Sequence, residues 1–291
     1  MILSTPTLRL QVEPAWGAAI VRFDWIADGE PVPLMRPFDS EAKSPGAPDP
    51  NDLACYPLVP WAGRISGNGF RFDGRQIALD GNRAEESSPI HGTGWQHPWQ
   101  VERSSNDELL LFIDEHSTAF DYRATLHYLL RDSTLDIALT VTNRGAAALP
   151  FGLGLHSFFP RHEAVRLRAP AREVWRNNGR DLFPVDCVPV PPEWDFANEA
   201  VLDADIDHCF EGWPGLAAIR WPQRHLALDI SSDARRYVIY APADSDFFCF
   251  EPIDHSLNAV NLPGGPALHG MTILASGEHL TRHFSFRASR T

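Results

Sequence analysis

Two titratable side chains lie within apolar, strand-like runs of this sequence. Glu251 follows the run Phe247–Phe250, and His156 lies inside Phe151–Phe159. Partial burial raises the pKa of a carboxylate, which would make Glu251 a better base near neutral pH. The structural alternatives are a strand that ends at Glu251 with its charge in solvent, and a hydrogen-bonded core histidine at position 156. The pattern alone leaves both alternatives open.

Two further segments carry single polar groups beside turn signals. Arg64 follows an apolar run that begins at Tyr56, and it precedes the turn-forming residues Ser66–Gly69. His91 is followed by Gly92 and, two residues later, by a second glycine. Glycines allow a sharp turn and a close backbone approach to a ligand, although His-Gly turns are also common without a function.

The elements that must position these residues are predicted to be strands, because apolar residues alternate with a period of two. The run from Tyr122 to Val141 predicts a β-hairpin with a polar turn after Arg131. Leu8–Val12 alternates as well. Further strands are predicted at Ala19–Trp25, Leu109–Ile113, Val165–Arg168, Ala217–Trp221, Leu226–Ile230, Tyr237–Tyr240, Phe247–Phe250, Met271–Leu274 and His283–Arg287.

These strands predict an all-β protein, arranged as one large antiparallel β-sandwich. No long window shows the 3.6-residue apolar period of a helix, and no low-complexity linker divides the chain. We therefore expect a single domain over residues 1–291. The proline-rich stretches Arg36–Pro50 and Pro184–Pro192 are expected to be surface loops between strands.

Charge and composition exclude several classes of function. The formal net charge of −13 would repel phosphate backbones, so nucleic-acid binding is not expected. No stretch approaches the roughly 18 apolar residues that a membrane helix needs. The first residues lack the features of a secretory signal, and the four cysteines are widely spaced without a CxxC pair. We expect a cytoplasmic protein with reduced thiols and no structural zinc.

The segments, in this order and spacing, resemble the aldose 1-epimerase (galactose mutarotase) family, and the resemblance covers nearly the whole chain. Each motif is short, and the combination carries the resemblance. The matching segments are Gly63-Arg64-Ile65 with Gly69-Phe70, His91-Gly92 with Trp99, His156-Ser157-Phe158-Phe159, Asp207-His208-Cys209-Phe210, Cys249-Phe250-Glu251-Pro252 with Asn258, and Leu274-Ala275-Ser276-Gly277-Glu278.

The resemblance implies a Greek-key β-sandwich enzyme, an isomerase that interconverts the α and β anomers of a hexose without a metal or organic cofactor. Glu251 would take the proton from the C1 hydroxyl, and His156, with a pKa near the ordinary imidazole value, would protonate the ring oxygen. The two groups are expected on opposite sides of the hemiacetal. Arg64 and His91 would bind the ring oxygen and neighbouring hydroxyls, and Asp207 would hold another hydroxyl.

Three departures from the family pattern concern the identity of the sugar. Gly63 stands where many members have asparagine, Phe158 where many have tyrosine, and Ser276 where many have proline. Family members that act on phosphorylated or otherwise anionic sugars use extra basic side chains. Arg71, Arg75 and Arg83 could serve that purpose, but a solvated charged surface is the preferred interpretation.

Three other functions remain as alternatives. A non-catalytic carbohydrate-binding protein on the same fold would not need an acid–base pair. A cupin-type metalloenzyme would need a His-x-His pair, which the sequence lacks. A glycoside hydrolase would need a second carboxylate beside Glu251, and Asp207 is the candidate.

Overall fold

Two large antiparallel sheets contain most of the strands. The computed structural model describes residues 1–39, 48–161, 164–177, 179 and 182–291. In chain order, the strands of the described residues are β1 (Ile2–Ser4), β2 (Leu8–Glu13), β3 (Ala19–Trp25), β4 (Val32–Pro33), β5 (Cys55–Leu58), β6 (Gly69–Phe72), β7 (Arg75–Ala78), β8 (Gln100–Ser104), β9 (Glu108–His116), β10 (Asp121–Arg131), β11 (Thr134–Asn143), β12 (Leu149–Phe151), β13 (Gly154–Pro160), β14 (Arg166–Arg168), β15 (Glu173–Asn177), β16 (Pro184–Pro189), β17 (Ala200–Val201), β18 (Ile206–Glu211), β19 (Leu216–Trp221), β20 (Leu226–Ser232), β21 (Arg236–Ala241), β22 (Phe247–Ile253), β23 (Thr272–Leu274) and β24 (His279–Arg290).

The helices in the same ranges are short 3₁₀ turns, and none is long and apolar enough to cross a membrane. They are Pro50–Asp52, Ser66–Asn68, Pro192–Trp194, Pro222–Arg224 and Ala259–Asn261.

The larger sheet has 11 strands in the order β1-β2-β3-β5-β13-β22-β21-β18-β15-β16, with β4 paired to β3. The second sheet has nine strands in the order β17-β14-β19-β20-β24-β11-β10-β9-β8. Many neighbours in each sheet are distant in the chain, as the crossing connections of a Greek-key sandwich require. The predicted all-β sandwich is confirmed, and one apolar core joins residues from both sheets.

Most predicted strands are confirmed in position. Strand β3 has the predicted bounds Ala19–Trp25, and the predicted hairpin is β10–β11, whose turn contains Asp132 at φ +48°. The interpretation of Pro184–Pro192 as a loop is wrong, since Pro184–Pro189 forms β16. Of the predicted loop Arg36–Pro50, residues 40–47 lie outside the described residues.

Side chains alternate between the two faces of strands β22 and β13, so only every second one points into the core between the sheets. Phe248 and Phe250 pack into the core between the sheets, whereas Cys249 and Ile253 belong to a second, smaller cluster. Because side chains alternate along a strand, Glu251 shares the face of this second cluster. The larger sheet therefore carries Glu251 on a buried face that points away from the second sheet.

Candidate active site

Glu251 and His156 meet on neighbouring strands of the larger sheet. Strand β22 pairs with β13 so that Gly154 lies opposite Ile253, and Phe158 lies opposite Cys249. The same antiparallel register puts position 156 opposite position 251. The distance from His156 Nε2 to Glu251 Oε1 is 3.4 Å. The two groups therefore lie side by side in the structure, and the expectation that they act from opposite sides of a hemiacetal stays a prediction.

Glu251 does not end its strand. Strand β22 continues to Ile253, and Glu251 is only 4% exposed. This excludes the alternative in which the carboxylate simply faces solvent. Burial raises the pKa of Glu251 well above its ordinary value, the negative charge of Asp207 raises it further, and Arg64 opposes both effects.

The imidazole of His156 stacks against two aromatic rings. Tyr56 and Phe158 each lie with ring centroids 4.7 Å from the imidazole, and their own centroids are 6.2 Å apart, so they pack against it from adjacent directions. Within the described residues its Nδ1 has no hydrogen-bond partner. This arrangement fixes the ring plane by packing and leaves Nε2 as the nitrogen directed at Glu251.

Burial, together with the nearby positive charge of Arg36, lowers the pKa of His156 to about 3. The expectation that its pKa stays near the ordinary imidazole value is therefore wrong. The pKa of Glu251 is raised and that of His156 is lowered, so both shifts disfavour the charged forms of the two groups.

His91 is oriented by the backbone of the Gly63 loop. The Gly63 N–H donates to His91 Nδ1 at 3.0 Å, and the His91 N–H donates to the Gly63 carbonyl at the same distance. Burial lowers the pKa of His91 well below its ordinary value, so the ring is neutral. Because Nδ1 accepts, the proton lies on Nε2, which is free to donate to a bound molecule.

Gly92 allows the His91 loop to pass close to a neighbouring strand. Its φ is +68°, and a Cβ at this position would lie 2.1 Å from the Val59 carbonyl oxygen. Trp99 supports the loop from the core, where its Nε1 donates to the Gly94 carbonyl at 2.8 Å. The predicted sharp turn after His91 is thus present, and it brings this segment against the start of the Arg64 segment.

Arg64 is held by a carboxylate that the sequence did not single out. Its Nε and Nη2 donate to the two oxygens of Glu86 at 2.6 and 2.7 Å. Asp207, on β18, lies close enough to Arg64 for each to shift the pKa of the other. Burial raises the pKa of Asp207, and Arg64 opposes that effect.

These side chains line one cavity of about 300 Å³, a volume that suits a small ring-shaped molecule. All five predicted site residues, Glu251, His156, Arg64, His91 and Asp207, border it. The remaining lining residues are Asn51, Gly63, Arg83, Glu86, Ile90, Trp95, Phe158, Leu182, Val238, Tyr240, Phe247 and Leu257. One bound molecule could therefore contact hydrogen-bond donors and acceptors for its hydroxyl groups, flat aromatic side chains, and the Glu251–His156 pair.

Several lining residues gave no signal in the sequence. Glu86 lies in a polar stretch that resembles any solvated loop, and Arg83 was assigned to a solvated charged surface. In the structure Arg83 pairs with Asp49 at 2.7 Å and borders the cavity. The basic residues Arg71 and Arg75, also considered for anion binding, lie on the β6–β7 hairpin with exposed side chains and do not line it.

One group in the described part of the chain could hold a metal ion. It consists of His156, Cys249 and Glu251, whose ligand atoms lie within 4.8 Å of one another. Burial raises the pKa of the Cys249 thiol well above its ordinary value, and the charge of Glu251 raises it further. Metal binding at this group would require the thiol to lose its proton against that shift.

Comparison with known proteins assigns the chain to a family. The aldose 1-epimerase family model matches residues 5–287, and the chain belongs to that family. The uncharacterized protein YphB of Escherichia coli K12 is 35% identical over 98% of this chain and 97% of its own length.

Solved structures show the same fold. An Escherichia coli K12 protein that is provisionally described as an aldose 1-epimerase has a TM-score of 0.89 and 33% identity, covering 100% of this chain and 98% of its own. A galactose mutarotase-like protein of Clostridium acetobutylicum has a TM-score of 0.85 at 17% identity, covering 100% and 95% of the two chains. The family implies an isomerase, and the comparisons give no substrate for this chain.

Proposed function

We propose that this protein is an aldose 1-epimerase that interconverts the α and β anomers of a hexose or a related sugar. The observation that carries the proposal is the contact between Glu251 and His156, with 3.4 Å between Oε1 and Nε2 in a cavity of pyranose size. The C1 hydroxyl and the ring oxygen are bonded to the same carbon. Two proton-transfer groups that act on them should therefore be near neighbours.

In the proposed reaction, Glu251 accepts the proton of the C1 hydroxyl while His156 donates a proton to the ring oxygen. The bond between C1 and the ring oxygen breaks, and C1 becomes the carbonyl carbon of the open-chain sugar. Rotation about the C1–C2 bond presents the other carbonyl face. In ring closure the two groups exchange roles, so the pair ends with the single proton with which it began.

The two pKa shifts favour this proton on Glu251, whereas ring opening as described requires it on His156. The two atoms are 3.4 Å apart, and a sugar hydroxyl that contacts both could relay the proton between them. Hydroxyl groups that donate to the carboxylate stabilise its charged form, and Arg64 already acts in that direction.

The other predicted residues would hold the sugar in place. Arg64 and the Nε2–H of His91 are donors for the ring oxygen and the neighbouring hydroxyls, and Asp207 is an acceptor for a further hydroxyl. Such contacts fix the reacting carbon against the acid–base pair, which is a large part of the rate gain in reactions of this kind.

The direct test is polarimetry of freshly dissolved α-D-glucose and α-D-galactose. The relaxation of optical rotation should become faster in proportion to protein concentration, and the rate should be unchanged after dialysis against EDTA because proton transfer needs no metal. No acceleration with either sugar or with a broader sugar panel would contradict the proposal. A rate that vanished with EDTA and returned with Zn²⁺ would instead indicate a metal site at His156, Cys249 and Glu251.

The same experiment separates this function from two alternatives. A carbohydrate-binding protein would bind the sugar without accelerating the relaxation. A glycoside hydrolase would act on nitrophenyl glycosides, whose substituted C1 oxygen has no proton to give and which cannot mutarotate. Glu251 and Asp207 border the same cavity, as the two carboxylates of a glycoside hydrolase would.

A further inference from the structure

The charges around the cavity bear on which sugars it accepts. Two arginines of the described chain line it, and each is already paired with a carboxylate. Arg64 pairs with Glu86 through two hydrogen bonds, and Arg83 pairs with Asp49 through two of 3.1 and 2.7 Å. Their positive charges are therefore largely neutralised before any ligand arrives.

The other charged groups do not favour an anion. Asp207 and Glu251 border the cavity and carry negative charge or a shared proton. A third arginine, Arg36, stacks on the rings of Phe158 and Phe247 at 4.1 and 4.4 Å and is not a lining residue. An anionic group of a ligand in this cavity would lie near carboxylates. No described lining residue offers it a positive charge that is not already paired with a carboxylate.

The Arg64–Glu86 pair also has a defined geometry. Glu86 engages Nε and Nη2 of the guanidinium, so the side-on pair fixes the plane of the group. Among the described residues nothing hydrogen-bonds to the two N–H groups on Nη1, which can therefore donate to a ligand. The side chains of Arg64 and Glu86 are 25% and 20% exposed, so the pair lies partly shielded from water at the cavity wall.

We infer that Glu86 is a specificity-determining and positioning residue, which neutralises and orients Arg64 so that the cavity accepts uncharged pyranoses and rejects hexose phosphates. This inference rests on the proposed function for the choice of sugars. It assigns Glu86 no proton transfer, and the acid–base pair remains Glu251 and His156.

The test measures binding, so that it does not depend on turnover. Calorimetric titrations would compare D-galactose with D-galactose 6-phosphate on the wild-type protein and on Glu86→Gln. The wild type should bind the free sugar about tenfold or more tightly than the phosphate, because like charges in a partly buried site repel. Glu86→Gln should shift this ratio by about tenfold toward the phosphate, because the charge of Arg64 is no longer neutralised.

Two further variants distinguish the effect of the Glu86 charge from the effect of its position. They also distinguish both from the effect of removing a carboxylate from any ion pair. Glu86→Asp keeps the negative charge but shortens the side chain. This variant should retain the preference for the free sugar. In polarimetry the substitution should raise the KM for the free sugar more than it lowers kcat. Asp114→Asn removes a carboxylate from a pair with Arg123 of similar exposure on the second sheet, and it should leave the ratio unchanged. Thermal melts establish that each variant is folded.

The outcomes are distinct. A Glu86→Gln ratio equal to that of the wild type, or a wild type that prefers the phosphate, would overturn the inference. Sugar binding with the predicted ratios but without faster mutarotation would contradict only the proposed function. No binding of either sugar would overturn both.

Discussion

Replacing Glu251 by glutamine is expected to slow mutarotation by about 10²–10⁴-fold, the usual contribution of one proton-transfer group. The amide has nearly the same shape but cannot accept the proton of the C1 hydroxyl. The fold should survive, because an uncharged amide costs less to bury than a carboxylate at a position that is 4% exposed. Polarimetry measures the rate, and a thermal melt measures stability.

A second buried carboxylate provides the matched control. Asp24 on β3 is fully buried, pairs with Arg9 and Arg22, and is not among the lining residues. Asp24→Asn should lower the melting temperature, because it weakens these pairs, but should keep most of the mutarotase rate. If Glu251→Gln kept the wild-type rate, the role proposed for Glu251 would be wrong.

Replacing His156 by asparagine is expected to cause a loss of similar size. Asparagine cannot donate and regain a proton near neutral pH, so the ring oxygen would leave without acid assistance. The control is His127→Asn on β10, where the histidine is 31% exposed and pairs with Glu108. It should leave the rate unchanged. A folded His156→Asn protein with full activity would contradict the assignment of the acid.

The histidine variant has a structural risk, because the imidazole fills a buried slot that Tyr56 and Phe158 line. A smaller side chain leaves part of that slot empty, which destabilises the protein. His156→Gln fills more of the slot and also cannot shuttle a proton. Agreement between the two variants in rate, despite different melting temperatures, would separate chemistry from packing.

Alternation of apolar residues predicts the strands well where one face of a strand is buried. This is why the β10–β11 hairpin lies where the sequence places it. Pro184–Pro189 was predicted as a loop because prolines interrupt it. It forms β16 because that strand lies at the edge of the larger sheet, where a missing N–H is tolerated.

Strand β22 runs beyond the predicted end at Phe250 to Ile253. Proline is disfavoured within a sheet, yet Pro252 lies inside this strand. In the structure the β13–β22 ladder is interrupted between the Gly154–Ile253 and Phe158–Cys249 pairs, and β22 continues through this gap. The gap lies where His156 and Glu251 face each other.

The identities of the five predicted site residues follow from the sequence motifs, but their electrostatics do not. The pKa of His156 depends on burial by Tyr56 and Phe158 and on the charge of Arg36, and the sequence does not show that these segments meet. Glu86 was missed for the same reason. Its importance comes from a pairing across 22 positions of chain with Arg64.

The central prediction is that Glu251 and His156 transfer protons in the same reaction. The most direct measurement is the mutarotation rate of the Glu251→Gln/His156→Asn double variant beside the two single variants. If both groups act in one proton-transfer sequence, the double variant should be about as slow as the slower single variant, because effects of residues that act as a unit are not additive. Losses that multiply would show that the two residues act independently and would contradict the account.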